Sequence, residues 1–440
     1  MKKKNSGSAL WAEKTKKMIP GGSQLLSKRS EQFLPALWPS YYRKARGVEV
    51  WDLDNNHFID MSFMGVGACP LGYADPDVNA AVKDAIDLGS MCTLNCYEEV
   101  ELGELLIKLH PWAEMVRYAR CGGEAMSIAV RIARAHTRND TVAFCGYHGW
   151  HDWYLAANLS DDQSLNGHLL PGLDPAGVPR GLTGTALPFR FNHPEDLEAI
   201  CEKNRDTLAA IIMEPVRDHF PEPDFIKTIH ECVENTGAVL IIDEVSSGFR
   251  LRTGGAHMDL GLNPDIAVFA KAIGNGYPMA AVIGNGDVMS AAQDTFISST
   301  NWTERIGPVA ALATIRKYQK FDVPKHLVKT GMAVQQIWEK TAMETDISLD
   351  VGGIYPLSHF SFMGDEPLPA QTYFTQLMLE KGFLAGKSFY SSFSHKKEHL
   401  DIYEVAAAES FSLISHALKD KTLDKMLKGP VAQTGFKRLT

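Results

Sequence analysis

The chain of 440 residues contains no apolar run approaching the ~18–20 residues that a membrane-spanning helix needs, so no membrane partner is expected. It has no broad basic excess either. Lysines and arginines number 44 against 53 aspartates and glutamates, a formal net charge of −9. Nucleic-acid surfaces are basic, so no nucleic-acid partner is expected. The seven cysteines lack metal-ligand spacing. Cys92 and Cys96 stand four apart with no second pair nearby, so no metal is expected. Their odd number suits free thiols in a reducing cytoplasm. The opening MKKKNSGSALWAEKTKK is basic and lacks the apolar centre of a signal peptide. It reads as a solvated tail leading into a helix. No Gly-x-Gly-x-x-Gly follows the first strand of the β–α pattern, which argues against a dinucleotide-dependent dehydrogenase. Repeats and low-complexity tracts are absent. Between Arg316 and Arg438 there is no arginine at all.

What is present is a globular composition, 45% hydrophobic and 22% charged. That is enough apolar material for one large and one smaller domain. The spacing predicts a helix over 9–18 that stops at Pro20-Gly21-Gly22. Residues 41–61 read as an antiparallel meander with a hairpin signal at Asp54-Asn55-Asn56. Asp75-Pro76 opens a helix over 77–88, and another covers 98–109. From Met115 strands and helices alternate: MVRYA, a helix over 124–136, then TVAFCG. This is the pattern of an α/β, doubly wound, mostly parallel sheet. Residues 152–185 are rich in Gly, Pro, Asp and Asn and read as a long loop. From about Val323 a separate α/β unit follows, with helices near 326–343, 369–381 and 403–418 and short strands between them.

Three apolar runs organise the middle of the chain. Residues 208–213 end at Glu214, 238–242 at Asp243 and 266–270 at Lys271. Runs of this kind are strands buried on both faces of a parallel sheet. Ligands of such sheets sit beyond the carboxyl ends of the strands, so the three charged residues should face one crevice. Singly, each has an ordinary explanation: a solvated strand end, a turn, a helix cap. Jointly they offer an amine that forms an imine and an acid that keeps a ring nitrogen protonated, the needs of pyridoxal phosphate. Cys121-Gly122-Gly123-Glu124-Ala125, between a strand and a helix, offers backbone N–H donors for its phosphate.

IIDEVSSGF followed by AVFAKAIGNGYPMAAVIG resembles the cofactor signature of class III pyridoxal-phosphate aminotransferases, and most of all the glutamate-1-semialdehyde aminomutase branch. The likeness runs from about Met18 to beyond Phe383. It implies the fold-type I architecture: a large sheet domain over 61–320, and a small α/β domain built from 1–60 and 321–440. It implies that Lys271 carries the cofactor and moves the proton, and that Asp243 binds the ring nitrogen. Tyr147, in Gly146-Tyr147-His148-Gly149, would stack on the ring. His148 lies in the same cofactor-binding segment, and Val245 would pack on the opposite ring face. Gly122 and Gly123 would hold the phosphate, although Gly123 replaces a threonine of the family's Ser-Gly-Thr-Glu-Ala. Thr300, with Thr303 as its neighbouring competitor, would reach the phosphate of the partner in a homodimer. Glu214 would stand near the site, orienting a tyrosine or histidine. The 152–185 segment would be a gate.

A rival reading takes His148, His151 and Asp152 as metal ligands, but their spacing is poor for one ion. The arginine-free C-terminal part bears on the substrate. Many class III enzymes clamp a substrate carboxylate there with an arginine. Arg29, beside Lys28, is the replacement candidate, while Arg217 and Arg250 read as structural ion pairs. The expected function is transfer of an amino group from a donor such as glutamate to a small carbonyl acceptor, with a sugar or other polyhydroxylated carbonyl in view. An intramolecular aminomutase shares every cofactor residue and stays open. A cofactor-free scaffold is a third reading, opposed by the presence of both Lys271 and Asp243.

Overall fold

The computed structural model describes residues 7–435 except 162, 169, 170 and 217. The chain forms two compact units, Met1–Asp75 with Lys325–Thr440, and Pro76–Pro324. Both divisions fall later than the lines drawn from sequence at 60 and 320. The reason at the first is local. The Tyr73 hydroxyl donates to Asp60 at 2.5 Å, and Gly47 bridges to Tyr73, so 61–75 is tied back to the meander.

The first unit begins with the helix Gly7–Met18. The expected meander follows: β1 (Tyr42–Arg46), β2 (Glu49–Asp52) and β3 (His57–Met61), antiparallel in turn. The Asp52 carboxylate holds the hairpin, accepting from the N–H groups of Asp54 and Asn56 at 2.8 Å each.

The second unit holds β4 (Met115–Ala119), β5 (Thr141–Cys145), β6 (Ala186–Pro188), β7 (Leu208–Met213), β8 (Val239–Asp243), β9 (Ile266–Phe269) and β10 (Ala280–Gly284). They form one sheet in the order β4-β10-β9-β8-β7-β5-β6. Neighbours from β9 through β6 pair in parallel, while β10 runs antiparallel to both β9 and β4. The stretch between Phe269 and Ala280 is too short for the crossover that a parallel strand requires, so β10 must turn back.

Alternate side chains of these strands leave opposite faces. Val239, Ile241, Ala210 and Ile212 enter the core shared with the helix Gly122–Thr137. Leu240, Ile242, Leu208, Ile211 and Met213 enter the opposite core, with the helices Pro194–Lys203 and Pro223–Thr236. Both faces are therefore covered, which explains why the runs carry no polar alternation.

The segment 152–185, expected as a loop, is largely packed where it is described. It contains the helix Asp152–Leu155 and 3-10 turns at Ala156–Leu159 and Arg180–Leu182. Trp153, Tyr154 and Leu165 are buried in the core. Buried Asn158 staples it, donating to the Leu173 carbonyl at 2.6 Å and accepting from the Leu165 N–H at 2.9 Å.

The chain completes the first unit with β11 (Leu349–Gly352), β12 (Leu357–Phe362), β13 (Phe383–Ala385) and β14 (Ser388–Tyr390). β13 joins β3 in parallel, and β11, β12 and β14 form their own sheet. Its core is aromatic: Trp338, Phe360, Phe374 and Phe411 are fully buried, with Phe374 stacked on Phe411 at 5.2 Å.

Candidate active site

The carboxyl ends of β7, β8 and β9 lie side by side because these strands are adjacent and parallel. The two-residue period decides where each end points. Asp243 continues the parity of Val239 and Ile241 and emerges on the face covered by the helix Gly122–Thr137. Glu214 does the same after Ala210 and Ile212. Glu244 has the opposite parity and turns to His257, accepting from its Nδ1 at 2.9 Å and its backbone N–H at 2.8 Å.

Asp243 is 2% exposed. Its Oδ1 accepts from the Val245 N–H at 2.9 Å, and its Oδ2 lies 2.8 Å from His148 Nδ1. His148 is equally buried, and its Nε2 donates to the Cys145 carbonyl at 3.1 Å. Both ring nitrogens of His148 are thus engaged by protein atoms. His151 turns elsewhere, towards Gly123, so the two histidines have separate surroundings. Among the described residues no three metal-binding side chains cluster.

Lys271 follows β9 with φ of 46°. A non-glycine residue in that region is strained by about 1–3 kcal/mol, and such strain gathers at functional positions. Its Nζ donates to Ser246 Oγ at 2.8 Å. Ser246 was not singled out from the sequence. Its nearness to Asp243 in Asp-Glu-Val-Ser-Ser was the available signal.

Gly122 and Gly123 open the helix whose first N–H groups have no partner within the helix. The Glu124 carboxylate accepts from the N–H groups of Arg120 and Cys121 at 3.2 and 3.0 Å, fixing the turn. A Cβ on Gly122 would stand 2.9 Å from a Val245 methyl and 3.6 Å from Ala270 Cβ. The space beside Gly122 is thus bounded by Val245 and by Ala270, the residue after β9.

Tyr147 is half-buried beside this group. Burial first, then the negative charges of Asp243 and Glu214, push its pKa above the usual tyrosine value, so its hydroxyl stays protonated. Glu214, 7% exposed, accepts from the Tyr147 N–H at 3.2 Å. Glu214 thus meets Tyr147 through that residue's backbone N–H.

The remaining candidates have their own surroundings. Thr300 is exposed and starts the 3-10 turn Thr300–Thr303, where its carbonyl accepts from Thr303 Oγ1 at 2.9 Å. Arg29 belongs to the first unit, where it lines a cavity with Lys28, Gly21 and Tyr41. Its guanidinium occupies the space a side chain on Gly21 would need. Arg250, 1% exposed, donates through Nε to the Ser246 carbonyl at 2.7 Å and holds the turn after β8. Arg217 lies outside the described residues.

Comparison with known proteins bears on what this cluster is. Residues 35–382 match the family model for class-III aminotransferases. The chain is 30% identical to glutamate-1-semialdehyde 2,1-aminomutase of Francisella tularensis, over 91% of this chain and 97% of that protein. It is 29% identical to 3-aminobutyryl-CoA aminotransferase of Cloacimonas acidaminovorans, over 92% and 97%. An omega-transaminase from Sphaerobacter thermophilus superposes with a TM-score of 0.81 at 25% identity, over 94% of this chain and 98% of that one. The FumI protein of Sphingopyxis sp. MTA144 gives 0.85 over 94% and 97%, a likeness of fold at 23% identity. The match spans both units and includes the strands that carry Asp243 and Lys271, and the chain belongs to the class III pyridoxal-phosphate-dependent aminotransferases.

Proposed function

We propose that the chain transfers an amino group from an amino-acid donor, such as glutamate, to a small carbonyl acceptor, with the residues at the ends of β7, β8 and β9 as its machinery. The observation that carries this reading is the adjacency of buried Asp243 to the strand that delivers Lys271, whose Nζ is held on Ser246 at 2.8 Å. The cleft fits pyridoxal phosphate. Gly122 and Gly123 start a helix whose first N–H groups can serve a phosphate, and the acid and the amine stand at the ends of neighbouring strands. When bound, the cofactor supplies the electron sink for loss of a proton from the carbon bearing the amine.

Each residue then has a part. Lys271 Nζ holds the cofactor and moves the proton as general acid and base. Ser246 Oγ orients that amine. Asp243 keeps a proton on the ring nitrogen, and His148 fixes the Asp243 carboxylate. Tyr147 and Val245 wall the ring, Glu214 sets the Tyr147 backbone, and Gly122 and Gly123 offer N–H groups to the phosphate. Thr300 serves the phosphate of a second copy, which makes the working form a homodimer. The free thiols suit a cytoplasmic setting.

For the substrate, the lack of arginine from 317 to 437 points to an acceptor with no carboxylate at the position a C-terminal arginine would clamp. A sugar or another polyhydroxylated carbonyl has that property. Arg29 is the candidate for any substrate carboxylate. The 30% identity with an aminomutase favours one second reading, isomerisation within one substrate. Incubating the purified enzyme with single compounds decides between them. A transferase stops after one half-reaction without an acceptor, whereas a mutase turns one compound over continuously.

A further inference from the structure

Gly123 stands where the resemblance noted above implies a threonine, and the space beside it is filled. A Cβ on Gly123 would stand 3.0 Å from both Cε1 and Nδ1 of His151. The approach is made at backbone level. Gly149, at φ of 104°, lies so close that its own Cβ would meet Gly123 Cα at 2.9 Å. Two glycines in contact let the 146–151 turn close down on the start of the helix Gly122–Thr137. Its last residue then presents an imidazole where a threonine side chain would be.

We propose that His151 binds the cofactor phosphate, supplying the donor that the missing side chain at Gly123 does not. The inference rests on the phosphate placement proposed above and adds a residue to it. His151 Nδ1 is sealed from solvent and has no hydrogen-bond partner among the described residues. A buried ring nitrogen without a partner is costly unless a ligand completes it. Its position is not a matter of chance rotation. The His151 carbonyl accepts from the N–H groups of Tyr154 and Leu155 at 3.0 and 3.2 Å, and its ring stacks on Trp150 with centroids 4.5 Å apart. An Nδ1–H aimed at the first turn of a helix donates to the same oxygens as the helix N–H groups, which is how a phosphate collects several donors. No other side chain can share the space, so His151 and a hydroxyl at 123 are alternatives.

The exclusivity gives the test. Equilibrium dialysis of the full-length chain against pyridoxal phosphate and against pyridoxal separates phosphate contacts from ring contacts. His151→Ala should weaken pyridoxal phosphate roughly ten- to hundredfold, the range for one hydrogen bond to a charged group, and leave pyridoxal nearly unchanged. Gly123→Thr alone should also weaken pyridoxal phosphate, because the new side chain meets His151. The double variant Gly123→Thr/His151→Ala should recover most of the loss, a strongly non-additive pair. Unchanged affinity in His151→Ala, or an equal loss for both compounds, overturns the proposal, since a merely structural histidine would move both together. A wild-type chain that binds neither compound overturns the phosphate placement itself.

Discussion

His148 Nδ1 sits 2.8 Å from Asp243 Oδ2, while the opposite ring nitrogen donates to the Cys145 carbonyl at 3.1 Å. A proton lies between two groups that water barely reaches, so the Asp243 carboxylate has one fixed orientation. Its second oxygen is held by the Val245 N–H. The acid expected to meet the cofactor is therefore set by β5 and the turn after it as much as by its own strand.

His148→Asn should leave a buried carboxylate without its partner. Removing one side of such a pair costs about 3–5 kcal/mol, read as a lower denaturation midpoint. Turnover should fall at least tenfold while pyridoxal phosphate still binds. An unchanged kcat would show that Asp243 needs no support from His148.

Asp243→Asn should keep the cofactor bound and lose most activity, because a neutral amide does not hold the ring nitrogen protonated. Single-turnover kinetics with bound cofactor measure this directly. A rate close to wild type would remove Asp243 from the proposed role.

Gly146 has φ of 117°, and a Cβ there would stand 2.5 Å from Glu214 Oε2. Gly146→Ala combines a left-handed backbone with a collision against a buried carboxylate. The expected loss is about 1–3 kcal/mol, seen as a lower Tm. The Tyr147 ring would also shift, changing the absorption band of the bound cofactor.

Acid should destabilise the first unit through His395. Burial holds its pKa down at about 3, against 6.5 for an open histidine. Its ring accepts from the Ser392 N–H at 3.0 Å and donates to the Asp60 carbonyl at 2.8 Å. Between those pH values the unfolded chain binds a proton that the folded chain refuses. The contribution is thus complete above about 6.5 and is lost as pH falls towards 3. His395→Gln can keep both bonds without titrating. It should flatten the pH dependence of stability in that window by up to about 1.4 kcal/mol per unit. Parallel curves for the two proteins would contradict this.

A shared site predicts complementation. If Thr300 serves the partner's pocket, mixing Thr300→Ala and Lys271→Ala chains yields heterodimers with one intact pocket and one doubly damaged pocket. Activity should return on mixing. If Thr300 acts within its own chain, no pocket is intact and mixing restores nothing.

Much of this was legible in the sequence. The run 208–213 is β7 to the residue, and Asp243 and Lys271 could be placed because buried parallel strands announce themselves as unbroken apolar runs. β6 was missed because three residues carry no periodic signal. The 152–185 segment was read as a loop because its Gly, Pro and Asp content outweighed the short DWYL helix, whose aromatic residues gain their order from the core beneath. The bond from Lys271 to Ser246 and the meeting of His151 with Gly123 join residues 25 and 28 positions apart. Contacts of that kind depend on tertiary closure and have no local signature.

The central claim is that Lys271 is the amine that carries the cofactor. Borohydride reduction of the cofactor-loaded protein, followed by peptide mapping, tests it most directly. The account predicts a pyridoxyl group on the peptide containing Lys271, and none in Lys271→Ala. A label on a different lysine, or a loaded protein that takes up no label, would contradict it.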